Sequence, residues 1–440
     1  MERLFGTDGI RGKAGVYPLD DETLNALGEL LAAPRRRILI CWDTRESSCA
    51  IYTALAAGIE RGGGEAVPGG TLPTPAASTL AQKYGFDAAV SVSASHNPFD
   101  DNGIKIFGPD GRKLPDEVES AIEERLGAAR SGGSPGSISH PRPKADSRFL
   151  DDYVAGLQTH LSIARPIRIV VDCANGASSE AAHRLFDGLG ASFVHDAPDG
   201  RNINRDCGSL HPGALQQRVA ETGADLGAAL DGDGDRAIFV DETGVVRDGD
   251  YTLFLVADHL HRAGLLRGNL VVTTVMANMG LDAALSDRGI GLAKTPVGDR
   301  YVLAEMDRRG SVLGGEQSGH TIRLDLQPAG DGLLTTIVVA SLLSATDLPL
   351  SGLCAPMKKF PQVLLNVPVR EKRDFGKLPA VRAYMQEVER RLRNRGRLVL
   401  RYSGTEMLAR VMIEGEDQAE IEGMAQALAA EIRREVGVGP

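Results

Sequence analysis

The chain of 440 residues has few cysteines, few aromatic residues and no long hydrophobic run. Its five cysteines form no C-x-x-C pair, so we expect neither a disulfide framework nor a structural zinc site, and a reducing compartment fits best. The N-terminus shows no apolar signal core, and the longest apolar stretch, Leu333 to Ala345, is too short to span a bilayer. We therefore expect a cytoplasmic protein with no membrane partner.

An excess of positive charge is also absent. The 49 Lys and Arg residues are outnumbered by 59 Asp and Glu residues, which gives a formal charge of −10. Binding to nucleic acid depends mainly on neutralising phosphates with Lys and Arg, and it also uses aromatic stacking platforms. With an aromatic content of only 5%, the sequence predicts that nucleic acid is not a partner.

What the sequence does contain is a regular alternation of amphipathic helices with short β-rich runs. Strand-like runs at 38–42, 87–93, 167–172 and 270–275 are separated by helical patterns, which favours mostly parallel sheets covered by helices. After residue 361 the order changes to strand, helix, two strands and helix. The fold class predicted is α/β, with three similar mixed α/β domains followed by a smaller C-terminal α+β domain.

Three breaks in the pattern suggest domain boundaries. Residues 131–146 are rich in Gly, Pro and Ser, as linkers often are. A second break falls near Asp248, and a third lies between Pro356 and Pro361. The predicted domains are 1–146, 147–248, 249–360 and 361–440.

Four polar loops, one in each predicted domain, follow strand-like runs. Their sequences are SASHNP at 93–98, DGDGDR at 231–236, GGEQSGH at 314–320 and RYSGTE at 401–406. In open α/β sheets, ligands bind beyond the carboxyl ends of strands. We therefore expect the four loops to share one central cleft.

The second loop carries Asp231, Asp233 and Asp235, separated only by glycines. Neighbouring carboxylates 4 Å apart repel by about 1 kcal/mol in water and about 4 kcal/mol at an effective dielectric constant of 20. A bound divalent cation removes this repulsion, and oxygen ligands alone favour a hard ion such as Mg²⁺. An EF-hand is the first alternative, but Arg236 stands where that loop needs glycine. A polar hairpin turn is the second.

The first loop offers the parts of a phosphoryl-transfer site. Ser95 supplies a nucleophilic oxygen, His96 can handle a proton, and Lys105 can neutralise charge. A serine-rich turn with no chemical role is the alternative interpretation.

The third and fourth loops suit a phosphorylated sugar. Arg401 and Arg410, with the loop hydroxyls and a glycine amide, could bind a phosphate dianion, although an ordinary hairpin also fits. Glu316 and Ser318 could bond sugar hydroxyls or simply cap a helix, and His320 could move a proton.

Taken together, the motifs resemble those of the α-D-phosphohexomutase superfamily. The resemblance spans essentially the whole chain and rests on an ordered set: FGTDGIRG at 5–12, SASHNPFDDNGIKIF at 93–107, DCANGA at 172–177, DGDGDR at 231–236, VGDRYV at 297–302, GGEQSGH at 314–320, GDG at 330–332 and RYSGTE at 401–406. It implies four domains around a central cleft.

The resemblance also implies a role for each motif residue. Ser95 looks like the phosphoserine, and Asp231, Asp233 and Asp235 look like Mg²⁺ ligands whose shell is completed by an oxygen of the Ser95 phosphate. The resemblance implies further residues that lie beside the transferring phosphoryl group, contact the sugar, or bind the second phosphate. They are catalytic His96, Lys105, Arg236 and His320, and substrate-binding Arg11, Glu316, Ser318, Arg401, Ser403, Gly404, Thr405 and Arg410.

The implied activity is an isomerase that interconverts glucosamine 6-phosphate and glucosamine 1-phosphate through a bound 1,6-bisphosphate, for amino-sugar nucleotide and cell-wall precursor synthesis. The partner expected is therefore a small hexosamine phosphate; a homodimer remains open. Three alternatives also remain: a mannose or glucose phosphate mutase of the same superfamily, a phosphatase with Asp231 or Asp233 as nucleophile, and a sugar-phosphate sensor. The sequence departs from the family pattern at Glu46, at Met407 and in a shortened stretch, 19–37.

Overall fold

The structure is a computed structural model that describes residues 4–6, 8–129, 143–403 and 407–438. Its strands form four sheets, one in each of four successive segments of the chain. The predicted strands and helices lie where the hydrophobic pattern placed them, within two or three residues at each end. The α/β fold class with a distinct C-terminal unit is confirmed.

The first sheet has the strand order β1-β2-β6-β5-β3-β4. Its strands are β1 (Phe5–Gly6), β2 (Gly9–Lys13), β3 (Arg37–Trp42), β4 (Glu65–Thr71), β5 (Ala88–Val92) and β6 (Asp101–Phe107). The helices of this segment are α1 (Asp21–Leu31), α2 (Ser48–Arg61), α3 (Thr74–Tyr84) and α4 (Asp116–Ala129). Strand β3 pairs in parallel with β4 and β5, whereas β6 returns antiparallel to β5.

The second sheet has the order β11-β10-β9-β7-β8. Its elements are α5 (Arg148–Gln158), β7 (Ile169–Asp172), α6 (Ser179–Phe186), β8 (Ser192–Val194), α7 (Gly213–Thr222), β9 (Leu226–Leu230), β10 (Ala237–Asp241) and β11 (Val246–Arg247). Strand β7 pairs in parallel with β8 and β9, and β10 returns antiparallel to β9.

The third sheet has the order β13-β12-β14-β15. Its elements are α8 (Gly249–Arg262), β12 (Leu270–Thr274), α9 (Met279–Ser286), β13 (Gly291–Thr295), α10 (Asp299–Arg309), β14 (Leu313–Gly315), β15 (Thr321–Arg323), α11 (Gly332–Ser344) and α12 (Leu350–Cys354). Again the first strand pairs in parallel with the second and third, and the fourth is antiparallel.

These three sheets therefore share one topology, a structural repeat that no sequence identity reveals. In each, four strands lie in the order second, first, third, fourth, and a short loop joins the third strand to its antiparallel neighbour. The three loops are 93–100, 231–236 and 316–320. Because antiparallel neighbours need only a tight connection, each loop projects from the carboxyl end of its sheet. The sequence pattern favoured mostly parallel pairing; the antiparallel fourth strands are what creates the loops.

The C-terminal unit is a three-stranded antiparallel sheet with two helices. Its elements are β16 (Gln362–Pro368), α13 (Pro379–Leu392), β17 (Gly396–Tyr402), β18 (Leu408–Gly415) and α14 (Gln418–Val436). Strand β17 includes Arg401 and Tyr402, which the sequence analysis assigned to a loop, because both continue the pairing with β18. Leu313 to Gly315 likewise form strand β14.

The cores explain how the units are joined. One cluster of buried apolar side chains runs continuously through the first three units, from Leu39 and Phe86 to Phe254 and Leu333, whereas the C-terminal unit packs its own cluster around Val411. The apolar helix α11 is part of the shared cluster. Within the described residues, no helix has both the length and the hydrophobicity needed to cross a membrane.

Candidate active site

Ser95 lies in the loop after β5 and faces the aspartate-rich loop. The residue is fully buried, and its backbone is left-handed with φ 52°. Its Oγ donates a hydrogen bond of 2.6 Å to Asp231 Oδ2 and lies 3.3 Å from Nδ1 of His96. Two of the four loops that the sequence predicted to be functional therefore meet directly.

Asp231, Asp233 and Asp235 point into one small space between β9 and β10. One carboxylate oxygen from each lies within 4.8 Å of the others. Burial, followed by the charges of Asp235 and Asp233, raises the pKa of Asp231 well above its ordinary value. Asp233 Oδ1 and Asp235 Oδ1 are buried and accept no hydrogen bond. Repelling carboxylates with unused oxygen atoms fit a divalent cation bound by oxygen ligands.

Glu242, the twelfth residue of the alternative EF-hand, lies elsewhere. It follows strand β10 and accepts a hydrogen bond of 3.2 Å from the backbone nitrogen of Ser351. The aspartates therefore form a compact strand-to-strand turn rather than an EF-hand loop.

Lys105 on β6 crosses from the first unit to the second. Its Nζ lies 2.8 Å from Asp233 Oδ2, 3.0 Å from Asp235 Oδ2 and 3.0 Å from Asp8 Oδ2. Burial alone lowers the pKa of Lys105, but these carboxylates outweigh it and hold that pKa well above its ordinary value. Lys105 therefore carries a fixed positive charge at neutral pH.

Arg236 adds a second cation beside the same carboxylates. Its Nε lies 3.6 Å from Asp235 Oδ1 and 3.9 Å from Asp231 Oδ2. Burial lowers the pKa of Arg236, and Asp231 and Asp235 more than compensate, so the group stays charged. Arg236 also forms an antiparallel bridge with His320, which joins the second loop to the third.

The two candidate histidines are held in opposite charge states. Burial, then the charges of Arg236 and Arg11, lowers the pKa of His96 to about 4. Burial also opposes charge on His320, but Asp235, Asp299 and Glu316 raise its pKa to about 9. Near neutral pH, His96 is therefore a proton acceptor and His320 is a proton donor.

The sugar-binding candidates lie in the tight loop between β14 and β15. The backbone nitrogen of Glu316 donates to the carbonyl of His320 at 2.8 Å, and Gly319 donates back to Glu316 at 3.0 Å. Glu316 Oε1 accepts 3.1 Å from the Gly298 nitrogen, while Ser318 Oγ is buried with no hydrogen-bond partner. Burial raises the pKa of Glu316. Ser318 is thus free to bond a substrate hydroxyl.

Paired cations lie on the two strands that flank the fourth loop. Arg401 and Arg410 are direct cross-strand neighbours on β17 and β18. Burial, then the charge of Arg410, lowers the pKa of Arg401, whereas Glu316 opposes this. Two adjacent guanidinium groups that destabilise each other favour an anion between them. Ser403 is buried, and its carbonyl accepts 2.8 Å from Lys372 Nζ; the candidates Gly404 and Thr405 lie outside the described residues.

The charged groups around Arg11 were not identified as individual residues in the sequence analysis. Arg11, a predicted substrate contact, pairs with Asp8 and donates 3.3 Å to Asn97 Oδ1. Asp8 also binds Lys113 at 2.6 Å, and Lys113 reaches Asp299 at 2.6 Å. Asp8 and Asp299 stand inside the motifs FGTDGIRG and VGDRYV, so those motifs were the available signal.

A second group of possible metal ligands, Asp172, His195 and Cys207, has a structural explanation. Both carboxylate oxygens of Asp172 accept backbone N–H bonds, from Ala174 at 2.9 Å and from Gly208 at 3.0 Å. Burial raises the pKa of the Cys207 thiol to about 12, so it stays protonated. Asp172 therefore organises two turns in the second unit.

The loop 316–320 is also connected to the junction with the C-terminal unit. Gln317 Nε2 donates 3.1 Å to Asp250 Oδ2 and lies 3.4 Å from Gln362 Oε1, at the start of β16. Lys359 Nζ is 3.7 Å from Asp250, whose side chain is fully buried. These polar contacts are the kind that can rearrange when one domain moves relative to another.

Asp250 provides a test of this junction through pH. Burial, then the charge of Asp248, raises its pKa from 3.8 to about 7. Between pH 3.8 and about pH 7, Asp250 has lost its proton in the unfolded chain but keeps it in the folded protein. Rising pH therefore lowers the free energy of unfolding across this range. We expect Asp250→Asn to remove this loss, which amounts to at most about 4 kcal/mol. Melting temperature measured against pH checks the prediction.

The control for that prediction is Asp282→Asn, which removes a half-exposed carboxylate paired with Lys294. It should melt with the pH dependence of the unaltered protein. Parallel curves for the unaltered protein and Asp250→Asn would contradict a raised pKa at Asp250.

The fold and the site together define a phosphotransferase with a serine oxygen held against a group of three carboxylates that could hold a metal ion. The chain belongs to the phosphoglucomutase/phosphomannomutase family. The family's alpha/beta/alpha domains I, II and III match residues 2–132, 148–244 and 248–360, and its C-terminal domain matches residues 364–431. The resemblance read from the motifs is therefore confirmed.

Two full-length relatives carry the same name. The chain is 43% identical over 450 residues to the phosphoglucosamine mutase of Citrifermentans bemidjiense, covering 99% of both proteins. It is 45% identical over 445 residues to that of Solibacter usitatus, again covering 99% of both.

Solved structures share the fold. A phosphoglucomutase/phosphomannomutase family protein from Burkholderia thailandensis superposes with a TM-score of 0.78 at 23% identity over 100% of both chains. The N-acetylphosphoglucosamine mutase of Aspergillus fumigatus, in complex with GlcNAc-6P and magnesium, gives 0.66 at 18% identity, covering 99% of this chain and 96% of that one.

Proposed function

We propose that the protein is a phosphoglucosamine mutase that interconverts glucosamine 6-phosphate and glucosamine 1-phosphate through a phosphorylated Ser95. The observation that carries the proposal is the 2.6 Å hydrogen bond between Ser95 Oγ and Asp231, at the edge of the buried carboxylate group. The names of the full-length relatives support the amino sugar as substrate. We further propose a cytoplasmic location and the domain division 1–146, 147–248, 249–360 and 361–440.

Asp231, Asp233, Asp235 and Ser95 would hold the metal, for which we propose Mg²⁺. When bound, the ion supplies electrostatic stabilisation of the charge on the transferring phosphoryl group. The unused oxygens of Asp233 and Asp235 support this assignment.

The fixed cations of the site would neutralise the same phosphoryl group. Lys105 and Arg236 both border the carboxylates, and neither loses its charge at neutral pH. Preorganised charges of this kind stabilise a transition state without reorganisation during the reaction. We assign Lys105 and Arg236 to charge stabilisation rather than to proton transfer.

We assign proton transfer to His96 and His320. Neutral His96 lies 3.3 Å from Ser95 Oγ, so it can take the proton when this oxygen attacks a phosphate of the bisphosphate. Protonated His320, with ring nitrogens 3.7 Å from Asp235 and 3.8 Å from Asp299, can return a proton at the sugar oxygen that leaves. The reverse transfer uses the same groups with their roles exchanged.

Moving a phosphate between two ends of a sugar requires two phosphate sites. Ser95 gives its phosphoryl group to one end, the bisphosphate turns within the cleft, and Ser95 recovers a phosphoryl group from the other end. Arg11, Arg401, Ser403, Gly404, Thr405 and Arg410 would hold the substrate and its unreactive phosphate, while Glu316 and Ser318 would bond sugar hydroxyls. The separate core of the C-terminal unit supports a domain that can shift as the intermediate turns.

The test of substrate class is a competition assay with glucosamine 6-phosphate, mannose 6-phosphate and glucose 6-phosphate. We expect kcat/KM for the amino sugar to exceed that for either hexose by about 10-fold or more, since recognition of a polar group discriminates strongly. A higher kcat/KM for a hexose would instead make the chain a hexose phosphate mutase of the same family.

A further inference from the structure

The loop that carries Ser95 is held from behind by two side chains outside the proposed catalytic set. Arg45 Nη2 donates to the carbonyl oxygens of Ser95 and Asn97, at 3.1 and 2.6 Å. Asn204 Nδ2 donates to the same two oxygens, at 2.8 and 3.0 Å. Each of these two carbonyls therefore receives two donors.

The loop needs such support because its backbone is strained. Ser95 has φ 52°, a left-handed conformation that a residue with a side chain adopts only where its surroundings hold it. The Ser95 carbonyl is also packed against the metal-binding loop, since a Cβ on Gly232 would approach that oxygen to 2.7 Å. If the carbonyl rotated, Oγ would leave its position opposite Asp231.

The two donors come from different domains. Arg45 follows β3 in the first unit; its fully buried side chain pairs with Asp43, which also accepts 2.5 Å from Ser93 Oγ. Asn204 follows β8 in the second unit, the unit that also carries Asp231. Its own position is fixed by a backbone hydrogen bond of 2.9 Å to Ala174 and by a left-handed φ of 58°.

We propose that Asn204, acting with Arg45, is a positioning residue that sets the serine oxygen against the carboxylate group across the boundary between the first two domains. The proposal rests on the proposed function and deepens it. Asn204 contacts the carbonyl oxygens of the loop and not the hydroxyl oxygen of Ser95, so it acts through the position of Ser95. Its loss should slow phosphoryl transfer and leave binding of the sugar and of the distal phosphate unchanged, because Glu316, Ser318 and Arg401 belong to other domains.

The decisive variant is Asn204→Gly, which removes the amide and still permits a left-handed backbone. We expect kcat to fall about 10- to 100-fold, since small misplacements of reacting atoms have effects of this size. KM for glucosamine 6-phosphate should stay within about twofold. Single-turnover transfer from phosphorylated Ser95, loaded with a hexose 1,6-bisphosphate, should slow by the same factor.

Asn269→Gly is the matched control. Asn269 is another left-handed asparagine, with φ 48°, whose side chain bonds His261 at 2.6 Å and Gly289 at 2.5 Å in the third unit. This variant makes the same backbone change and loses the same number of contacts, but we expect it to keep its kcat.

A second pair of variants separates donation from folding. Asn204→Asp keeps the shape of the side chain but cannot donate to the carbonyls, so its kcat should fall at least as far as that of Asn204→Gly. Arg45→Lys keeps the positive charge but loses the planar guanidinium group with its several donors. It should lower kcat and leave KM unchanged. The proposal is overturned if both Asn204 variants keep their kcat, if they lose no more than Asn269→Gly, or if the change lies in KM. If the unaltered protein itself shows no mutase activity and no phosphate on Ser95, the proposed function fails instead.

Discussion

Ser95→Ala should abolish mutase activity, with kcat lower on the order of 10⁴-fold or more. The physical reason is that the substitution removes the buried oxygen that would carry the phosphoryl group between the two ends of the sugar. Intact mass and peptide mapping should find one phosphate on Ser95 in the unaltered protein and none in the variant. A coupled assay with glucosamine 6-phosphate and catalytic amounts of a bisphosphate measures the activity.

The control for Ser95→Ala is Ser344→Ala, which removes another buried serine hydroxyl, on α11, and should leave activity intact. The same assay also examines the phosphatase alternative. An enzyme with an aspartate nucleophile would release inorganic phosphate, and it would do so without Ser95. Continued phosphate release by Ser95→Ala at the rate of the unaltered protein would therefore overturn the phosphoserine mechanism.

Asp231→Asn should lower kcat about 10³-fold, or roughly 4 kcal/mol of transition-state stabilisation. Three buried carboxylates repel one another, and burial with this repulsion raises the pKa of Asp231 well above its ordinary value. Removing one negative charge therefore reduces the repulsion between the carboxylates and stabilises the metal-free protein. The same change weakens binding of the metal. We expect the variant to melt at a higher temperature than the unaltered protein when metal is removed with a chelator.

Magnesium should reverse that order of stability. A ligand at 100 times its dissociation constant stabilises the folded state by about 2.7 kcal/mol, so Mg²⁺ should raise the melting temperature of the unaltered protein and have little effect on Asp231→Asn. Asp225→Asn is the control, because Asp225 stands at the opposite end of strand β9 and accepts 2.8 Å from the Arg168 nitrogen. An equal response to Mg²⁺ in both variants would contradict a metal site at the triad.

One departure from the family pattern, Glu46, makes a contact between two units. Glu46 pairs with Arg201 at 2.7 Å, and its nitrogen donates 3.1 Å to Gly200, so it joins the first unit to the second. Ser48 bonds Asp43 at 2.9 Å and thereby supports the partner of Arg45.

The linear sequence determined which chemically active side chains the protein has and where its strands and helices lie along the chain. Local propensity and hydrophobic period placed the strands, and the clustering of Asp231, Asp233 and Asp235 in one turn required nothing beyond their spacing. The order of motifs was sufficient to reach the family. These features depend on residues close together along the chain, which is why a pattern could show them.

Tertiary structure decided how those parts act together. Packing of the first unit against the second brought Lys105 to Asp233 across 128 residues and Asn204 to Ser95 across 109 residues, contacts that no local pattern specifies. Burial and the arrangement of charges set the opposite protonation states of His96 and His320, two residues of the same type. The chemistry of each side chain is local, whereas its neighbours, its exposure to water and therefore its pKa depend on the whole fold.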